Sequence, residues 1–336
     1  MIDVQNPRSF RGKDVCVIGG TGLIGSQLVE LLVEEGARVR IVSLDHPSLV
    51  NPKVKEFKQL DLIEPKNCLE ACSGVEYVFS LFGLKGSPKM AVEQAATFFE
   101  KTLLISMQIL RGARLAGVPG YLYTSSIGAY PPSEIFKEEN VWSGPPSPND
   151  EAAGYAKRMA EFHGKAHMKQ YGWTDFTTVY PANVYGPRDN FDTDSATVSA
   201  SLIKRALAAL ESNQPLIAWG DGSPVRDFIH AKDVACGMLL AAQRGPGRSY
   251  NVGSGVGVSI RELTDIIVGH LPKKVEVVWD TTQPGGDNKR IMDISRIRSL
   301  GFEQKISLSD GIRDTINWYL ENRNETHKRY NPFNTV

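Results

Sequence analysis

Two side chains near the middle of the chain, Ser126 and Lys157, have types and surroundings suited to hydroxyl and proton chemistry. Ser126 follows an apolar run at residues 121–125 that predicts a strand, and a hydroxyl at the end of a strand can bind a sugar hydroxyl or carbonyl. Lys157 lies within a helical pattern at residues 151–170, where its ammonium can hold a ribose and lower the pKa of a neighbouring hydroxyl. A solvated helical lysine is the alternative interpretation.

A glycine-rich stretch near the N-terminus predicts a site for a phosphate-bearing ligand. It lies between an apolar run at residues 15–18 and a helical pattern at residues 26–35. Its G-x-x-G-x-x-G spacing removes side chains where backbone must approach a pyrophosphate, and a helix N-terminus faces the phosphates. This context predicts dinucleotide binding, with a ligand-free glycine loop as the alternative. The residues predicted to bind the dinucleotide here are Gly19, Gly22, Leu23, Ile24 and Gly25.

The elements that must position these residues alternate between strands and helices. Strands are predicted at residues 15–18, 39–44, 57–60, 77–81, 121–125 and 176–180. A long helical pattern at residues 90–116 precedes the predicted strand 121–125, and a second at residues 151–170 precedes the predicted strand 176–180. We therefore expect an α/β fold with a Rossmann-type doubly wound parallel sheet of six strands, whose carboxyl ends border a ligand crevice. The proline-rich residues 131–150 are predicted to form a surface loop beside that crevice.

The second half of the chain has mixed periods and predicts a smaller, partly interleaved C-terminal substrate-binding lobe. Its helices are predicted at residues 195–211, 233–243, 259–270 and 309–321, and a strand at residues 216–219. The predicted domains are 1–180 (dinucleotide-binding, with returning segments at about 226–252), 181–225 with 253–323 (substrate lobe), and 324–336 (a loose tail).

Composition excludes several classes of function. The 336 residues contain 38 Lys plus Arg and 38 Asp plus Glu, so no overall charge favours nucleic acid or a membrane as partner. No apolar run reaches membrane-spanning length, and the polar N-terminal segment resembles neither a signal nor a transit peptide. Four cysteines without paired spacing suit thiols in a reducing compartment, which predicts a cytoplasmic protein. No metal site is expected, because the pair His163 and His167 lacks a third ligand.

Several motifs together resemble the extended short-chain dehydrogenase/reductase superfamily, in its NAD-dependent nucleotide-sugar epimerase/dehydratase family and in particular its GDP-L-fucose synthase branch. The resemblance extends from Gly19 to about Asn322. Besides the glycine turn, the matching segments are residues 124–131, 155–157, 181–187, 219–230 and 250–255. It implies a hydride-transfer enzyme acting on a nucleotide sugar, with GDP as the expected nucleotide, and it implies a homodimer built on the two long helices.

The resemblance also implies which other residues contact the cofactor. Asp45 matches the carboxylate that accepts hydrogen bonds from the adenosine ribose and favours NAD over NADP, although Ser43 competes for that position. Asp61 resembles an adenine-contacting aspartate, with Leu62 beside it, and could equally be a turn residue. Backbone from Pro181 to Val184 is expected at the nicotinamide, and Lys157 at its ribose.

Substrate contacts follow from the same resemblance. Asn183 and Arg226 would bind the diphosphate and Trp219 would lie near the base, since a guanidinium binds phosphate oxygens well. The expected substrate-binding residues are Lys85, Ser126, Asn183, Lys204, Trp219, Arg226 and Arg290, with Arg205 as a further phosphate or ribose contact.

The chain departs from the family pattern at the position of the catalytic tyrosine. The family places this tyrosine four residues before the lysine, because such a pair shares one helix face. That position here is Ala153, and Tyr155 is roughly 200° away from Lys157 around a helix of 3.6 residues per turn. Ala153 therefore suggests an engineered variant, a natural enzyme with another proton carrier such as Ser126, or a catalytically silent binding protein.

A second departure concerns proton transfer at the sugar carbons flanking the ketone. Fucose synthases use a cysteine and a histidine there, and those positions hold Gly128 and Thr197. Neither side chain can take a proton from carbon at neutral pH. The sequence thus predicts redox chemistry at hexose C4 without 3,5-epimerisation, as reductase, dehydrogenase or epimerase, with a silent cofactor- and nucleotide-sugar-binding protein as the alternative.

Overall fold

The structure, a computed structural model, describes residues 8–84, 88–192, 196–282, 288–324 and 329–330. Its strands, in chain order, are β1 (Asp14–Ile18), β2 (Arg38–Val42), β3 (Glu56–Lys58), β4 (Tyr77–Ser80), β5 (Gly120–Thr124), β6 (Ile135–Phe136), β7 (Asp175–Pro181), β8 (Asn183–Tyr185), β9 (Leu216–Trp219), β10 (Val225–His230), β11 (Ser249–Val252), β12 (Gly257–Ser259), β13 (Val277–Asp280) and β14 (Lys289–Met292). Its helices are α1 (Leu23–Glu35), α2 (Pro65–Cys72), α3 (Pro88–Glu93), α4 (Ala95–Leu115), α5 (Glu151–Tyr171), α6 (Val198–Ser212), α7 (Ala231–Arg244), α8 (Ile260–Gly269), α9 (Ser295–Arg298) and α10 (Leu308–Asn322).

A parallel sheet of seven strands forms the centre of the described residues, in the order β11-β7-β5-β4-β1-β2-β3. The predicted α/β, Rossmann-type fold is confirmed. The predicted number of six strands was wrong, because β11 pairs in parallel with β7 and adds a seventh strand, with Tyr250 opposite Val179. The strand order reverses between β1 and β4, and the loops that leave those strands diverge to open a crevice there.

Alternate residues of β1 face the two layers of helices that cover the sheet. Val15 and Val17 pack in the cluster that includes α1 and α7, whereas Cys16 and Ile18 pack in the cluster that includes α2 and α4. A strand buried on both faces needs an uninterrupted apolar run, which β1 has. The rigid carboxyl end of β1 fixes the glycine turn that follows it.

The helical pattern predicted at residues 90–116 is interrupted in the structure. Helix α3 ends at Glu93 and α4 begins at Ala95, because Gln94 leaves the helical region with φ −117° and ψ 34°. The second long pattern forms one continuous helix, α5. Helices α4 and α5 pack against each other on one face of the sheet.

The remaining strands form two smaller sheets beside the carboxyl ends of the large one. One sheet has the order β12-β10-β14-β6 with β8 also paired to β10, and the other pairs β13 with β9. Residues 131–150 are therefore not only a surface loop: β6 lies within them and pairs with β14. A third apolar cluster, which includes Ile203, Phe228, Leu263 and Ile312, holds α6, α8 and α10 to this lobe. Within the described residues, none of the helices combines the length and the apolar character that crossing a bilayer requires.

Candidate cofactor and substrate site

The glycine turn after β1 has room only for backbone. Gly19 adopts φ +76°, and Gly22 precedes α1 without any side-chain cap, which leaves the first backbone N–H groups of the helix available to a ligand. A Cβ on Gly25 would lie 2.0 Å from the carbonyl oxygen of Gly19. Gly25 therefore lets α1 pack on the turn itself. We call this turn, Gly19 to Gly25, the glycine cradle. A single added Cβ would fill it, so it fits the close backbone approach of a dinucleotide pyrophosphate.

A cavity of about 180 Å³ opens beside this turn at the carboxyl ends of β1, β2 and β4. It is lined by Gly19, Ser43, Asp45, Asp61, Leu62, Phe82, Gly83, Lys101 and Tyr330, among others. Four of the cofactor residues predicted from sequence, Gly19, Asp45, Asp61 and Leu62, thus share one cavity. Asp61 also accepts a hydrogen bond from the backbone N–H of Ile63 at 3.0 Å, so it has the turn role as well.

Ser43 and Asp45, the two alternatives for the ribose contact, both lie next to the buried hydroxyl of Thr21. Thr21 Oγ1 is 2.7 Å from Asp45 Oδ2 and 2.8 Å from Ser43 Oγ. The backbone N–H of Asp45 donates to Ser43 Oγ at 3.1 Å. Ser43 therefore positions Asp45, whose carboxylate reaches the cavity.

Lys157 is buried at the base of the crevice. Its Nζ donates to the carbonyl oxygens of Phe82 and Thr124, both at 2.9 Å, and would lie 3.6 Å from a Cβ on Gly83, a residue of the cavity wall. Burial lowers the pKa of Lys157 to about 8. The predicted alternative of a solvated lysine therefore does not match the structure, where the residue is only 7% exposed.

Ser126 is held at the end of β5 by a local turn. Its Oγ accepts a hydrogen bond from the backbone N–H of Gly128 at 3.1 Å, which caps a short 3₁₀ turn, Ile127–Ala129. A side chain on Gly128 would contact the carboxyl of Asp150 at 3.0 Å. The carboxyl of Asp150 therefore borders the space that the fucose-synthase cysteine would need.

Ala153 lies in the first turn of α5, one turn before Lys157. Because α5 is α-helical throughout Glu151–Tyr171, Ala153 and Lys157 share a face and Tyr155 does not. The ring centre of Tyr155 lies 5.6 Å from the guanidinium carbon of Arg158. Tyr155 therefore does not replace the missing phenol.

The predicted phosphate-binding side chains come together on neighbouring strands of the second sheet. Arg226 on β10 lies in register beside Arg290 on β14, and Asn183 lies on β8, which pairs with the later residues of β10. Arg226 Nη1 donates to the carbonyl of Val225 at 2.9 Å, and Asn183 Nδ2 donates to the carbonyl of Asp227 at 3.0 Å. Guanidinium groups on adjacent strands are suited to binding phosphate oxygens, and that of Arg290 is also paired with Asp150.

The other predicted contacts lie on β9, on α6 and where β7 is followed by β8. Trp219 ends β9 with 63% of its surface exposed, and the guanidinium of Arg205 lies 5.4 Å from its ring centre. Lys204 is half-buried on α6, beside Arg205 in sequence. Pro181 ends β7 and Val184 lies on β8, where β7 gives way to the second sheet. Lys85 lies outside the described residues.

Arg290 has contacts that sequence reasoning missed. Its Nη1 is 2.9 Å from Asp150 Oδ2, and its Nη2 donates to the carbonyl of Ile127 at 3.3 Å. Asp150 and Thr21 gave no motif signal, since each acts through a partner distant in sequence. A polar residue directly before a helix, as Asp150 is, was the only available clue.

The fold, the glycine cradle and the buried lysine together define a nucleotide-binding enzyme of the Rossmann class. The model of the NAD dependent epimerase/dehydratase family matches residues 15–253, and the chain belongs to this family. The resemblance predicted from the motifs is thereby confirmed, and so is NAD as the family's cofactor.

The chain is similar to a GDP-L-fucose synthase in sequence and to enzymes of more than one kind in structure. The putative GDP-L-fucose synthase 2 of Arabidopsis thaliana is 32% identical over 316 residues, which cover 92% of this chain and 92% of the relative. UDP-glucose 4-epimerase of Thermotoga maritima, solved with UDP-glucose, is 27% identical with a TM-score of 0.79, covering 92% and 99% of the two chains. A GDP-L-fucose synthetase of Naegleria fowleri bound to NADP shares the fold at 22% identity, with a TM-score of 0.82 and coverage of 95% and 96%.

Proposed function

We propose that this protein is an NAD(P)-dependent nucleotide-sugar oxidoreductase or epimerase that transfers hydride at hexose C4, with a GDP-hexose as substrate. The bound cofactor would accept or donate the hydride. Similarity to GDP-L-fucose synthases supports GDP as the nucleotide. The adjacent Arg226 and Arg290 support a diphosphate ligand.

The observation that carries the proposal is the placement of Lys157. Its ammonium is buried, directed at two carbonyl oxygens beside the cavity, and lies one helical turn after position 153. Burying an ammonium group costs free energy, so a lysine with no functional role would be unfavourable at this position. In the proposed reaction Lys157 holds the cofactor ribose and lowers the pKa of a neighbouring hydroxyl, and Ser126 orients the sugar oxygen at C4.

At the two positions that correspond to the fucose-synthase acid and base for epimerisation at C3 and C5, the chain has Gly128 and Thr197. Gly128 has no side chain, and Thr197 Oγ1 donates to Asp189 Oδ2 at 3.0 Å. A threonine hydroxyl is too weak a base to take a proton from carbon. The proposed chemistry is therefore confined to one carbon, as reduction of a 4-keto sugar, oxidation, or 4-epimerisation through a ketone.

Ala153→Tyr tests the proposal. The phenol would lie one turn from Lys157, and a general acid/base contributes about 10²–10⁴ in rate, so we expect turnover to appear or rise by that factor. The assay follows nicotinamide absorbance and sugar products with GDP-, UDP- and dTDP-hexoses. Ala152→Tyr is the matched control, because its side chain leaves the helix about 100° away. If neither the original chain nor Ala153→Tyr turns over any of these sugars, the reaction proposed here is wrong.

A binding protein without catalysis is the second candidate, favoured by Ala153 itself. It requires tight binding of cofactor and nucleotide sugar, with no turnover in either the original chain or Ala153→Tyr. Calorimetry on both proteins measures that binding directly. An active Ala153 protein would exclude this candidate and direct attention to Ser126 as the proton carrier.

We further propose a homodimer built on α4 and α5. These helices pack on each other and expose large apolar side chains, including Leu104 (46% exposed), Met107 (38%) and Phe162 (60%). Phe162→Asp should shift the mass measured by light scattering from dimer to monomer. Phe162→Leu, which keeps the surface apolar, should not. A monomeric original chain would contradict the proposal.

We also propose that the protein works in the cytoplasm. Cys16, Cys68 and Cys72 are buried as free thiols, and burial raises the pKa of Cys16 and Cys68 to about 12. Such thiols are unreactive, and their free state suits a reducing compartment.

A further inference from the structure

Two residues near the C-terminus, Arg329 and Tyr330, lie against the carboxylate expected to bind the adenosine ribose. The backbone N–H of Tyr330 donates to Asp45 Oδ1 at 2.8 Å. Arg329 Nη1 lies 3.8 Å from Asp45 Oδ2, and Arg329 Nη2 donates to the carbonyl of Thr21 at 3.4 Å. These contacts place Arg329 beside Thr21 in the glycine turn.

Tyr330 borders the cavity, and Arg329 lies beside the Asp45 carboxylate that lines it. Tyr330 is one of its lining residues, and the cavity beside it still measures about 180 Å³. The side chain of Arg329 is 24% exposed. A carboxylate has about four acceptor positions, so Asp45 can hold the contacts from Thr21 and Tyr330 and still accept a ribose hydroxyl.

Charges around Arg329 hold a guanidinium beside Asp45. Burial lowers the pKa of Arg329, the like charge of Arg188 lowers it further, and the carboxylates of Asp45 and Asp189 raise it. Arginine remains protonated at any physiological pH despite such shifts. The site therefore presents a fixed positive charge next to the carboxylate.

This pairing matters for the choice between the two nicotinamide dinucleotides. A carboxylate alone accepts the 2′- and 3′-hydroxyls of NAD and repels the 2′-phosphate of NADP, whereas an arginine nearby accommodates that phosphate. Asp45 and Arg329 provide both groups, 3.8 Å apart. A phosphate close to Asp45 Oδ2 would thus meet a guanidinium able to bind it.

We propose that Arg329 determines cofactor specificity by admitting the 2′-phosphate of NADP beside Asp45, so that the site binds both NADP and NAD. NAD depends on the Asp45 carboxylate, and NADP depends on Arg329. The proposal concerns cofactor binding only, so it can hold or fail independently of the proposed sugar reaction.

Arg329→Ala tests it by calorimetric titration with NAD and NADP in the absence of any sugar. Losing a charged hydrogen bond to phosphate should weaken NADP binding by about tenfold, with NAD binding changed by less than about twofold. Arg323→Ala is the matched control, since Arg323 pairs with the exposed carboxylate of Glu211 at 2.7 Å and not with Asp45. It should alter neither dissociation constant.

A second variant makes the outcome decisive. Asp45→Asn removes the repulsion and weakens the ribose contact, so it should shift the ratio of affinities toward NADP, opposite to Arg329→Ala. An equal loss of NAD and NADP affinity in Arg329→Ala would show that the residue only covers the site, and no loss of either would show that it does not act there. Both results overturn the proposal. Melting temperatures of all variants identify any that are misfolded.

Discussion

The cofactor side and the proposed sugar side of the crevice are built differently. On the cofactor side, Gly25 leaves no space for a side chain, and Thr21 and Lys157 are buried with hydrogen bonds to backbone or short side chains. On the sugar side, Arg205, Arg226 and Trp219 are long or exposed side chains on strands and helices of the smaller lobe. The first geometry depends on close backbone packing and the second on adjustable side chains. Substitutions on the cofactor side should therefore nearly abolish ligand binding, whereas substitutions on the sugar side should weaken it in graded steps.

The largest effect is expected at Gly25. Gly25→Ala places a Cβ 2.0 Å from the carbonyl oxygen of Gly19, so α1 must shift away from the turn. Overpacking of this kind costs about 3 kcal/mol, which corresponds to about a hundredfold loss in NAD affinity if it falls on the binding state. Titration and thermal unfolding measure both consequences. Gly269→Ala, at a position with nothing within 4 Å, should change neither, and normal NAD binding by Gly25→Ala would refute the cradle.

An effect of similar size is expected from Lys157, on the pH dependence of the free energy of unfolding. Its pKa of about 8 lies below the ordinary value of 10.5, so the unfolded chain binds more protons between these two pH values. The free energy of unfolding should therefore rise with pH across this window, by about 3 kcal/mol relative to Lys157→Met. Below pH 8 both states carry the proton and the full cost of burying the charge applies. Denaturant titrations at pH 7.5 and 10.5 give the difference, and parallel curves for the two proteins would contradict it.

A smaller effect is expected on the sugar side at Arg226. Arg226→Ala should weaken nucleotide-diphosphate-sugar binding by about 2 kcal/mol, or about thirtyfold, because one charged hydrogen-bonding group is lost. NAD binding should remain unchanged, which separates the two sides of the crevice. Calorimetry with GDP and with NAD measures both, and Arg226→Lys should retain part of the affinity. Equal losses of affinity for GDP and for NAD would contradict the distinction between the two sides of the crevice.

The smallest effect is expected at Trp219. Trp219→Ala should cost about 1 kcal/mol, or about fivefold in affinity for GDP, because its exposed ring can contribute stacking on a base. Trp219→Phe should recover most of this loss. Comparing GDP with ribose diphosphate in the same titration isolates the contribution of the base, and an equal loss for both ligands would remove Trp219 from the base site.

The features that sequence predicted are those fixed by local spacing. The glycine turn follows from which side chains are absent, and the relation of Ala153 to Lys157 follows from helical periodicity alone. The strands β1 and β4 follow from apolar runs, and both are buried in the structure.

Features that depend on contacts between distant segments were not predictable in this way. The strand β11 has four residues, and its pairing with β7 decides that it joins the large sheet. The Asp150–Arg290 ion pair links residues 140 positions apart. The polar C-terminal residues have no periodic pattern and were expected to be loose. Arg329 and Tyr330 nevertheless lie beside Asp45, which contacts the backbone N–H of Tyr330 and the guanidinium of Arg329.

The contact between Gly128 and Asp150 constrains how this protein could change over evolutionary time. A cysteine reintroduced at position 128 would push against the carboxyl of Asp150, which in turn holds Arg290. A single substitution toward 3,5-epimerisation would therefore disturb the expected phosphate site before providing any benefit. Shortening the side chain at position 150 first removes that conflict. The order of mutations, and not only their number, then determines whether that activity is accessible from the present sequence.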